Sequence, residues 1–378
     1  MTAAEIAARL APRTAADGFV PFDRFMEAAL YAPDVGRYAR PDSPLGTGGD
    51  FYTAAHVSPL FGGTIAAHCA AVGAIVAADG AGRIVELGAG DGALAEAILR
   101  ALPPEAPFAE YVVVERSPVL REHAVARARA ATTTVRVRAA PALSSDGPFR
   151  GVVVANELLD ALPARRLRWD GSEWRELGVR WDGHRFRSAD APVTEPIPAP
   201  PLPHPVPVDT VVEFSAAASA IVREIGDHLA DGVALLIDYG MGTAELVRAH
   251  PSGTLAGARR HRPVDDPLEA PGEVDLSVFV DFDRLRAAAG AAGLSELGFA
   301  PQAETLGRWG FEHRLAEALA AAADAAARVK VQLAAKNLLF GFERFRILEL
   351  APPATARRSG ITTEGPAPSG PVPPRASR

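Results

Sequence analysis

The sequence predicts an α/β fold built on a doubly wound, mostly parallel sheet with helices on both faces. Short apolar runs alternate with helical patterns between residues 83 and 155, and the connections between them are short. Such alternation is typical of a parallel sheet that is covered on both sides. A glycine-rich turn, 88–92, follows the first run, and polar residues end three of the runs. The carboxyl ends of such strands are where ligands of these folds bind.

The elements follow in chain order. Apolar runs predict strands at 83–87, 111–115, 134–138, 151–155, 211–214, 233–239 and 344–350. Helical patterns predict helices at 61–76, 91–102, 117–131, 215–229, 283–292 and 312–337, with Ser215 as an N-cap. Two Trp-Asp-Gly turns predict a β-hairpin or meander within 165–187. The Pro-rich stretch 192–207 suits a connector, because proline fits neither a helix interior nor a central strand.

These elements suggest five regions. Residues 1–65 hold N-terminal helices and a Gly/Pro-rich loop whose aromatic residues indicate order. The core covers 66–162 and 208–250, and the β insertion with its connector covers 163–207. Residues 251–350 are predicted to form a C-terminal region on the substrate side, which includes a helical addition. From residue 351 the tail is rich in Pro, Gly, Ser and Arg, so we expect it not to fold and to be dispensable.

Composition narrows the class of protein. With 48% hydrophobic and 22% charged residues, the 378-residue chain can bury a sizeable core. A formal net charge of −7 argues against a nucleic-acid partner, which would favour a basic face. One cysteine, Cys69, excludes disulfides within the chain and thiolate zinc sites. The nine histidines show no metal-ligand spacing, so we predict no metal.

The N-terminal residues include an early acid and no apolar core region, which argues against a secretory signal. The Ala-rich stretches are interrupted by charges, so we predict no membrane span. The Ala, Arg, Gly and Pro bias indicates a GC-rich bacterial genome, and we expect a cytoplasmic protein. The sequence leaves a homodimer open.

The turn after the first strand predicts a ligand site. Gly88, Gly90 and Gly92 alternate there around Asp91, two positions after Glu86. Glycines let the backbone N–H groups and a helix N-terminus approach a ligand closely. The spacing differs from the Gly-x-Gly-x-x-Gly dinucleotide fingerprint. Another nucleotide ligand or a purely structural turn stays an alternative.

This Glu-x-Gly-x-Gly-x-Gly pattern resembles the first motif of class I S-adenosyl-L-methionine methyltransferases. The resemblance implies that the loop residues bind the amino-acid end of the cofactor and that Glu86 helps hold its ammonium group. It also implies that Glu115 binds the ribose hydroxyls and that Leu143 contacts the adenine. Asn156, at the end of the fourth strand, is a further predicted cofactor contact. S-adenosyl-L-homocysteine would be the product.

The resemblance extends to the NDUFAF7/MidA family of these methyltransferases. Seven landmarks agree in order: Gly49–Thr53, Ser58–Gly62, the glycine motif, Asn156–Pro163, Asp238–Gly240, Gly253–Leu255 and Val280–Phe282. Membership implies a protein arginine methyltransferase whose mitochondrial members dimethylate a subunit of respiratory complex I. Gly49 and Asp50 would then belong to a lid over the cofactor, with Asp50 as a turn aspartate as the alternative. The chain departs from the family at Ala55-His56 and Gly63, which leaves the substrate open.

Glu157 and Asp160 are the predicted catalytic residues. An arginine nucleophile is protonated and delocalised, and nearby carboxylates can hold it, localise its charge and accept the released proton. If the chain turns helical at Asn156, positions three apart share a face and both carboxylates enter the cleft. The alternative is a capping pattern, in which Asn156 caps a helix and the acids complement its N-terminus. Asp238 is expected to be structural.

Three functions therefore remain in competition. The first is methylation of a protein arginine, which makes a protein the substrate, a complex I subunit by resemblance. The second is methylation of a small molecule. Departures from the family around His56 and at Ala256–Arg259, after the Gly-Thr-Leu landmark, keep this alternative open. The third is an assembly factor that binds S-adenosyl-L-methionine without turnover, and the intact glycine motif with its two acids argues against it.

Overall fold

The protein is described here from a computed structural model that covers residues 3–11, 17–40, 53–77, 81–145, 147–195, 202, 205–259 and 262–358. Its strands are β1 Phe19–Pro21, β2 Gly82–Leu87, β3 Phe108–Val114, β4 Arg136–Ala140, β5 Phe149–Asn156, β6 Arg165–Trp169, β7 Trp174–Trp181, β8 Phe186–Pro192, β9 Val211–Phe214, β10 Leu229–Met241, β11 Ala256–Arg259, β12 Arg262–Pro263, β13 Asp275–Ser277, β14 Val280–Asp281, β15 Ser295–Pro301 and β16 Phe345–Ala351. Its helices are α1 Ala3–Leu10, α2 Phe22–Tyr31, α3 Ala54–Val57, α4 Pro59–Val76, α5 Ala93–Ala101, α6 Pro118–Ala131, α7 Ala216–His228, α8 Thr243–Ala249, α9 Phe282–Ala291, α10 Gln302–Arg308, α11 Phe311–Ala321, α12 Ala325–Phe340 and α13 Pro353–Arg358.

The largest sheet has the strand order β15-β16-β10-β5-β2-β3-β4, and β14 extends the end of β10. Strands β2, β3, β4, β5 and β10 run parallel, whereas β16 is antiparallel to both β10 and β15. The predicted doubly wound, mostly parallel α/β sheet is therefore confirmed. The chain passes from β2 outward to β4 and then returns to the other side of β2 with β5. The strand order thus reverses between β2 and β5.

Successive residues of the central strands face opposite sides of the sheet, so the sheet has a hydrophobic core on each side. Ile84 of β2 and Val152 of β5 face a cluster that includes residues of α4, α5 and α6. Val85 and Val153 point to the opposite face, where residues of α7 and α9 pack. Because the central strands are buried on both faces, their sequences are nearly continuous apolar runs. This is the reason that the strand positions were predictable.

Two smaller antiparallel sheets lie outside this core. One has the order β1-β7-β6-β9 with β8 paired to β7, and it contains the predicted β insertion. The other consists of β12-β11-β13. A third apolar cluster joins α1 and α2 to the insertion through Ile6, Phe25 and Phe186. The N-terminal helices therefore pack against the insertion rather than stand free.

Several boundaries differ from the predictions. The predicted helix 312–337 is two helices, α11 and α12, because Asp324 caps the second by accepting from the Ala327 N–H at 2.7 Å. The expectation that folding ends at residue 351 is wrong for 351–358. There α13 buries Thr355 and Ala356, and the Thr355 hydroxyl accepts from the Gly232 N–H at 3.0 Å. Residues 359–378 lie outside the described part of the chain.

Among the described residues, α4 is the one helix whose length and apolar composition would allow it to cross a membrane. In the fold, 61% of this 18-residue window is buried inside the protein. Phe61, Ile65 and Cys69 are fully buried in the cluster beside the central sheet. The helix therefore serves as a core helix in this structure.

Candidate active site

The glycine turn lies where the strand order reverses. Gly88, Gly90 and Gly92 have φ angles of +68°, +54° and +82°, which residues with a Cβ atom rarely adopt. A Cβ atom at Gly88 would lie 2.7 Å from Leu158 Cδ1, and one at Gly92 would lie 2.6 Å from the Cα atom of Ala124. Both the backbone conformation and the lack of space for a Cβ atom therefore favour glycine in this turn. It leads directly into α5.

A cavity of about 280 Å³ opens beside this turn. Its lining comes from six separate parts of the chain: Tyr31, Tyr38, Leu87, Gly88, Gly90, Val114, Glu115, Arg116, Leu120, Pro141, Ala142, Leu143, Glu157, Leu158, Ala161, Leu162, Ile221 and Glu224. Five of the predicted site residues are in this lining, namely Gly88, Gly90, Glu115, Leu143 and Glu157. The structure thus brings together predicted residues that are up to 69 positions apart, from Gly88 to Glu157.

Glu115 follows β3 and faces the turn. Its carboxylate accepts from the N–H of Gly90 at 3.0 Å and from the N–H of Ser117 at 2.8 Å. Burial raises the pKa of this carboxyl group, while the two backbone donors act in the opposite direction. A buried carboxylate in a cavity wall can accept hydrogen bonds from ligand hydroxyls, as the ribose of a nucleoside requires.

Glu86 lies beside the cavity rather than in its lining. Its side chain is 3% exposed and accepts a hydrogen bond from the Tyr111 hydroxyl at 2.7 Å. Burial raises the pKa of Glu86 to about 8, so the carboxyl group is largely protonated at neutral pH. A role for Glu86 in holding a ligand ammonium group stays a prediction.

Asp91, Gly92 and Asn156 are likewise outside the lining. Asp91 accepts from Arg127 Nη1 at 2.8 Å and lies 3.1 Å from His56 Nε2. These contacts hold the turn on the side away from the cavity. Burial acts to raise the pKa of Asp91, but His56, the Ala93 N–H and Arg127 outweigh it, so the pKa is lowered. Asn156 donates to Glu157 Oε1 at 3.3 Å, whereas its buried Oδ1 has no hydrogen-bond partner in the described structure.

Glu157 is the most unusual residue of the lining. Its φ angle is +52°, in the left-handed region that few residues other than glycine adopt. The Glu157 N–H donates to the Ile237 carbonyl oxygen at 2.9 Å, and Oε1 accepts from the Ala54 N–H at 2.9 Å. Burial raises the pKa of the carboxyl group to about 8. A strained backbone and a half-buried acid coincide in one cavity residue.

The predicted helical turn at Asn156 is wrong, and so is its capping alternative. Residues 157–163 form bends and turns, with no helix beginning there. The cause is non-local, because the Glu157 N–H pairs with β10 instead of with its own segment. Asp160 consequently does not share a helical face with Glu157, and it is absent from the cavity lining.

Asp160 belongs to a buried acidic cluster behind Glu157. It is 6% exposed, accepts from the Tyr239 hydroxyl, and has an Oδ1 atom with no hydrogen-bond partner in the described structure. Burial raises its pKa to about 6. Asp238 accepts from the N–H groups of Leu159 at 2.8 Å and of Asp160 at 3.2 Å, so it organises this bend as a structural residue would. Burial and the neighbouring acids raise the pKa of Asp238 well above its usual range.

Among the lining residues that were not predicted, Tyr31, Tyr38 and Arg116 form an aromatic rim. The Tyr31 and Tyr38 rings stack with centroids 5.5 Å apart, and the Arg116 guanidinium lies 4.6 Å from the Tyr31 ring centroid. The Tyr38 hydroxyl donates to Asp275, which anchors this part of the rim to β13. Tyr38 was among the aromatic residues that indicated order in the N-terminal loop, and that was the available signal. Gly49 and Asp50, the predicted lid residues, lie outside the described part of the chain.

The lining suits a molecule with an apolar ring and several polar groups. Leu120, Leu143 and Ile221 offer apolar surface, and Glu115 offers hydrogen-bond acceptors in the same cavity. The turn supplies a backbone that no Cβ atom obstructs. These features fit an adenosine-containing ligand whose charged end reaches the glycines.

Comparisons with known proteins agree with this chemistry. A family described as "Putative S-adenosyl-L-methionine-dependent methyltransferase" matches residues 64–300. A crystal structure from Burkholderia thailandensis, bound to S-adenosyl-homocysteine, is 33% identical, with a TM-score of 0.81 over 92% of this chain and 91% of that chain. The chain thus belongs to this family of S-adenosyl-L-methionine-dependent methyltransferases and uses that cofactor.

The family can be named more closely. The mitochondrial protein arginine methyltransferase NDUFAF7 of Danio rerio is 28% identical over 311 residues, which span 74% of this chain and 71% of the relative. The Homo sapiens protein of the same name is 27% identical over 326 residues, or 79% and 71% of the two chains. This protein is a distant homologue of NDUFAF7 and a member of the NDUFAF7/MidA family.

Proposed function

We propose that the protein transfers a methyl group from S-adenosyl-L-methionine to a guanidino nitrogen of an arginine in a protein substrate. The observation that carries the proposal is Glu157, a strained residue whose half-buried carboxyl group enters the cavity beside the glycine turn. Strained residues that are fixed by their surroundings cluster at functional sites. The relatives named as protein arginine methyltransferases support the same acceptor.

The cofactor supplies an activated methyl group on a sulfonium, so the protein's tasks are positioning and electrostatics. In the proposed complex, the Glu157 carboxylate accepts hydrogen bonds from the substrate guanidinium. The cation lowers the pKa of Glu157 from its value of about 8 in the free site, so that the acid binds in its ionised form. As the nitrogen gains the methyl group it loses a proton, and Glu157 is the acceptor in reach.

Asp160 would act from behind Glu157. Its Oδ1 has no hydrogen-bond partner in the described structure, and burial raises the pKa of its carboxyl group to about 6, which is below that of Glu157. The Tyr239 hydroxyl already fixes its other oxygen. We infer that Asp160 holds negative charge near the guanidinium or takes over the proton, whereas Glu157 contacts the substrate.

The substrate and setting are proposals as well. Family resemblance points to a subunit of respiratory complex I as the methylated protein, and composition points to a bacterial cytoplasm. A homodimer is compatible with both.

The first test is transfer of label from methyl-labelled S-adenosyl-L-methionine to a cell lysate. We expect label in a discrete protein band with the wild-type protein. Glu157→Gln should lower that labelling by about a hundredfold or more, because a general base typically contributes this much. Calorimetric binding of S-adenosyl-L-homocysteine to the variant should stay close to wild type.

The outcomes separate the competing functions. Label in a small-molecule fraction alone would favour the small-molecule methyltransferase. Binding of the cofactor with no labelled product in any fraction would favour the non-catalytic assembly factor. Unchanged labelling by Glu157→Gln would remove Glu157 from the mechanism.

A further inference from the structure

Helix α12 carries apolar residues on two opposite sides. Ala335 and Leu338 are buried in the cluster beside the central sheet. On the outer side, Val329, Leu333 and Phe340 are 51%, 61% and 65% exposed, and they are three of the five large apolar residues exposed in the described part of the chain. The inner side of α12 is therefore covered by the protein, whereas the apolar residues of its outer side are open to solvent.

The three exposed residues form a row. At about 100° per residue, positions 329, 333 and 340 project within about 40° of one another, and they span about 16 Å of helix length. We call Val329, Leu333 and Phe340 the outer row. Single exposed apolar residues are normal, whereas an aligned set on one element indicates a contact surface.

The charged residues within α12 have one sign, and single acids, Asp324 and Glu343, lie beyond its two ends. Arg328, Lys330 and Lys336 are exposed on α12, and the helix contains no acid within 325–340. The chain's two lysines are therefore both on this helix. Among the described residues none of the three cations has an ion-pair partner. In a protein with a net charge of −7, this is a local cationic surface.

We propose that this face of α12 docks on an anionic lipid surface. Apolar side chains in a row would enter the boundary between headgroups and acyl chains, as they do in interfacial helices. The flanking cations would lie among the lipid phosphates, and the long lysine stems allow the charge to reach them. The negative remainder of the molecule would be repelled, which fixes the orientation.

Charge argues for lipid over a second copy of the chain. A second α12 would bring the same three cations and no acid, so an α12–α12 contact would place like charges together. The outer row is also the convex side of a single helix. Mobile headgroups can adapt to a convex surface, whereas a protein partner would need a groove of matching shape.

The docking face is close to the candidate active site. The buried side of α12 packs with Ala54 of α3, whose N–H donates to Glu157. Lipid at the outer row would therefore bring the site near a membrane surface and any substrate held there. The docking proposal itself does not depend on which atom is methylated.

Vesicle co-sedimentation of the full-length protein tests the proposal. We expect binding to phosphatidylcholine vesicles that contain phosphatidylglycerol, weakening as salt is raised, and little binding to phosphatidylcholine alone. The triple variant Val329→Ser, Leu333→Ser, Phe340→Ser should reduce partitioning by roughly tenfold or more. The control Ile75→Ser, Val208→Ser removes exposed apolar residues elsewhere and should bind as wild type does. Calorimetric binding of S-adenosyl-L-homocysteine checks that every variant is folded.

Three results would overturn the proposal. The first is no binding of the wild-type protein to anionic vesicles at low salt. The second is equal binding by the triple variant and the control. The third is sedimentation as a dimer that only the triple variant converts to a monomer, which would make a second copy the occupant. None of these depends on methyl transfer, so failure here and failure of the proposed function are distinguishable.

Discussion

Glu157 concentrates the unfavourable features of the site in one residue. A left-handed backbone at a residue with a Cβ atom costs about 1–3 kcal/mol. The Glu157 carboxyl group is also half-buried, and its pKa is raised to about 8. Two hydrogen bonds hold this conformation in place. The Glu157 N–H donates to the Ile237 carbonyl oxygen, and Glu157 Oε1 accepts from the Ala54 N–H. The carboxyl group is thereby presented to the cavity without a substrate to order it. Such preorganisation lowers the cost of positioning during the reaction.

Gly90 tests the cofactor cradle at the scale of one residue. We expect Gly90→Val to abolish calorimetric binding of S-adenosyl-L-homocysteine, because Gly90 lines the cavity at a φ angle of +54° and a branched side chain would block the ligand. Circular dichroism should show a folded protein. Arg248→Val, at the surface of α8, is a control that should bind normally. Tight binding by Gly90→Val would mean that the turn does not hold the cofactor.

At the scale of elements, the junction of β2 and α5 depends on Gly92. A Cβ atom there would meet the backbone of α6 at Ala124, 2.6 Å away, in addition to the strain of a φ angle of +82°. We expect Gly92→Ala to lower the free energy of unfolding by about 2–4 kcal/mol. Urea denaturation measures the change.

Gly293→Ala is the matched control for this variant. Gly293 has a φ angle of +73° and no atom within 4 Å of a built Cβ atom, so the substitution adds strain without overlap. A loss of about 1 kcal/mol is expected. Equal losses for Gly92→Ala and Gly293→Ala would show that the contact between α5 and α6 at Ala124 adds nothing.

Elements that carry their own signal could be predicted from the sequence. The central strands were predictable since burial on both faces requires apolar runs, and α7 was predictable with its cap, because Ser215 accepts from the Ala218 N–H at 3.1 Å. Strand β15 could not be predicted, because its residues are partly exposed and give no apolar run. It is a strand because it pairs with β16. The same holds for α13, which docks through Thr355, whose hydroxyl accepts from the Gly232 N–H and donates to Asp231, and through the ion pair of Arg358 with Asp231.

The site shows the same division. The alternating glycines and Glu115 could be predicted, because a turn with positive φ angles and a strand-end acid leave local marks in the sequence. The geometry of Glu157 could not, since its conformation is set by Ile237, 80 positions later in the chain. Neither could the Tyr31–Tyr38 rim, which is held by Asp275 and by the Ala161 carbonyl oxygen. Residues that depend on distant partners leave no local pattern.

At the scale of the whole molecule, buried acids make stability depend on pH. The pKa of Glu86 and of Glu157 rises from 4.5 to about 8 on folding, so the folded protein binds more protons than the unfolded chain between these values. Stability therefore falls as pH rises from about 5 to 8, by up to about 1.4 kcal/mol per pH unit for each group.

Glu86→Gln isolates one of these contributions. We expect the variant to show a shallower fall in the free energy of unfolding between pH 5 and pH 8, because it cannot ionise on unfolding. Urea denaturation across this range provides the measurement, and Glu105→Gln at an exposed position is the control. An unchanged slope in Glu86→Gln would show that Glu86 is ionised in the folded protein.

The whole molecule also brings the donor site and the acceptor site together. The glycine turn, Glu115 and Leu143 come from one half of the sheet, Glu157 comes from the other half, and the tyrosine rim comes from the N-terminal region. The reversal of strand order between β2 and β5 is what creates the cavity that they share.

Mass spectrometry of the protein that acquires label tests the central claim most directly. After incubation with isotopically labelled S-adenosyl-L-methionine, peptide fragmentation identifies the side chain that carries the methyl group. We predict label on the guanidino group of an arginine, present with the wild-type protein and lost with Glu157→Gln. Label on another type of side chain, or on arginine at the same level with both proteins, would contradict the account.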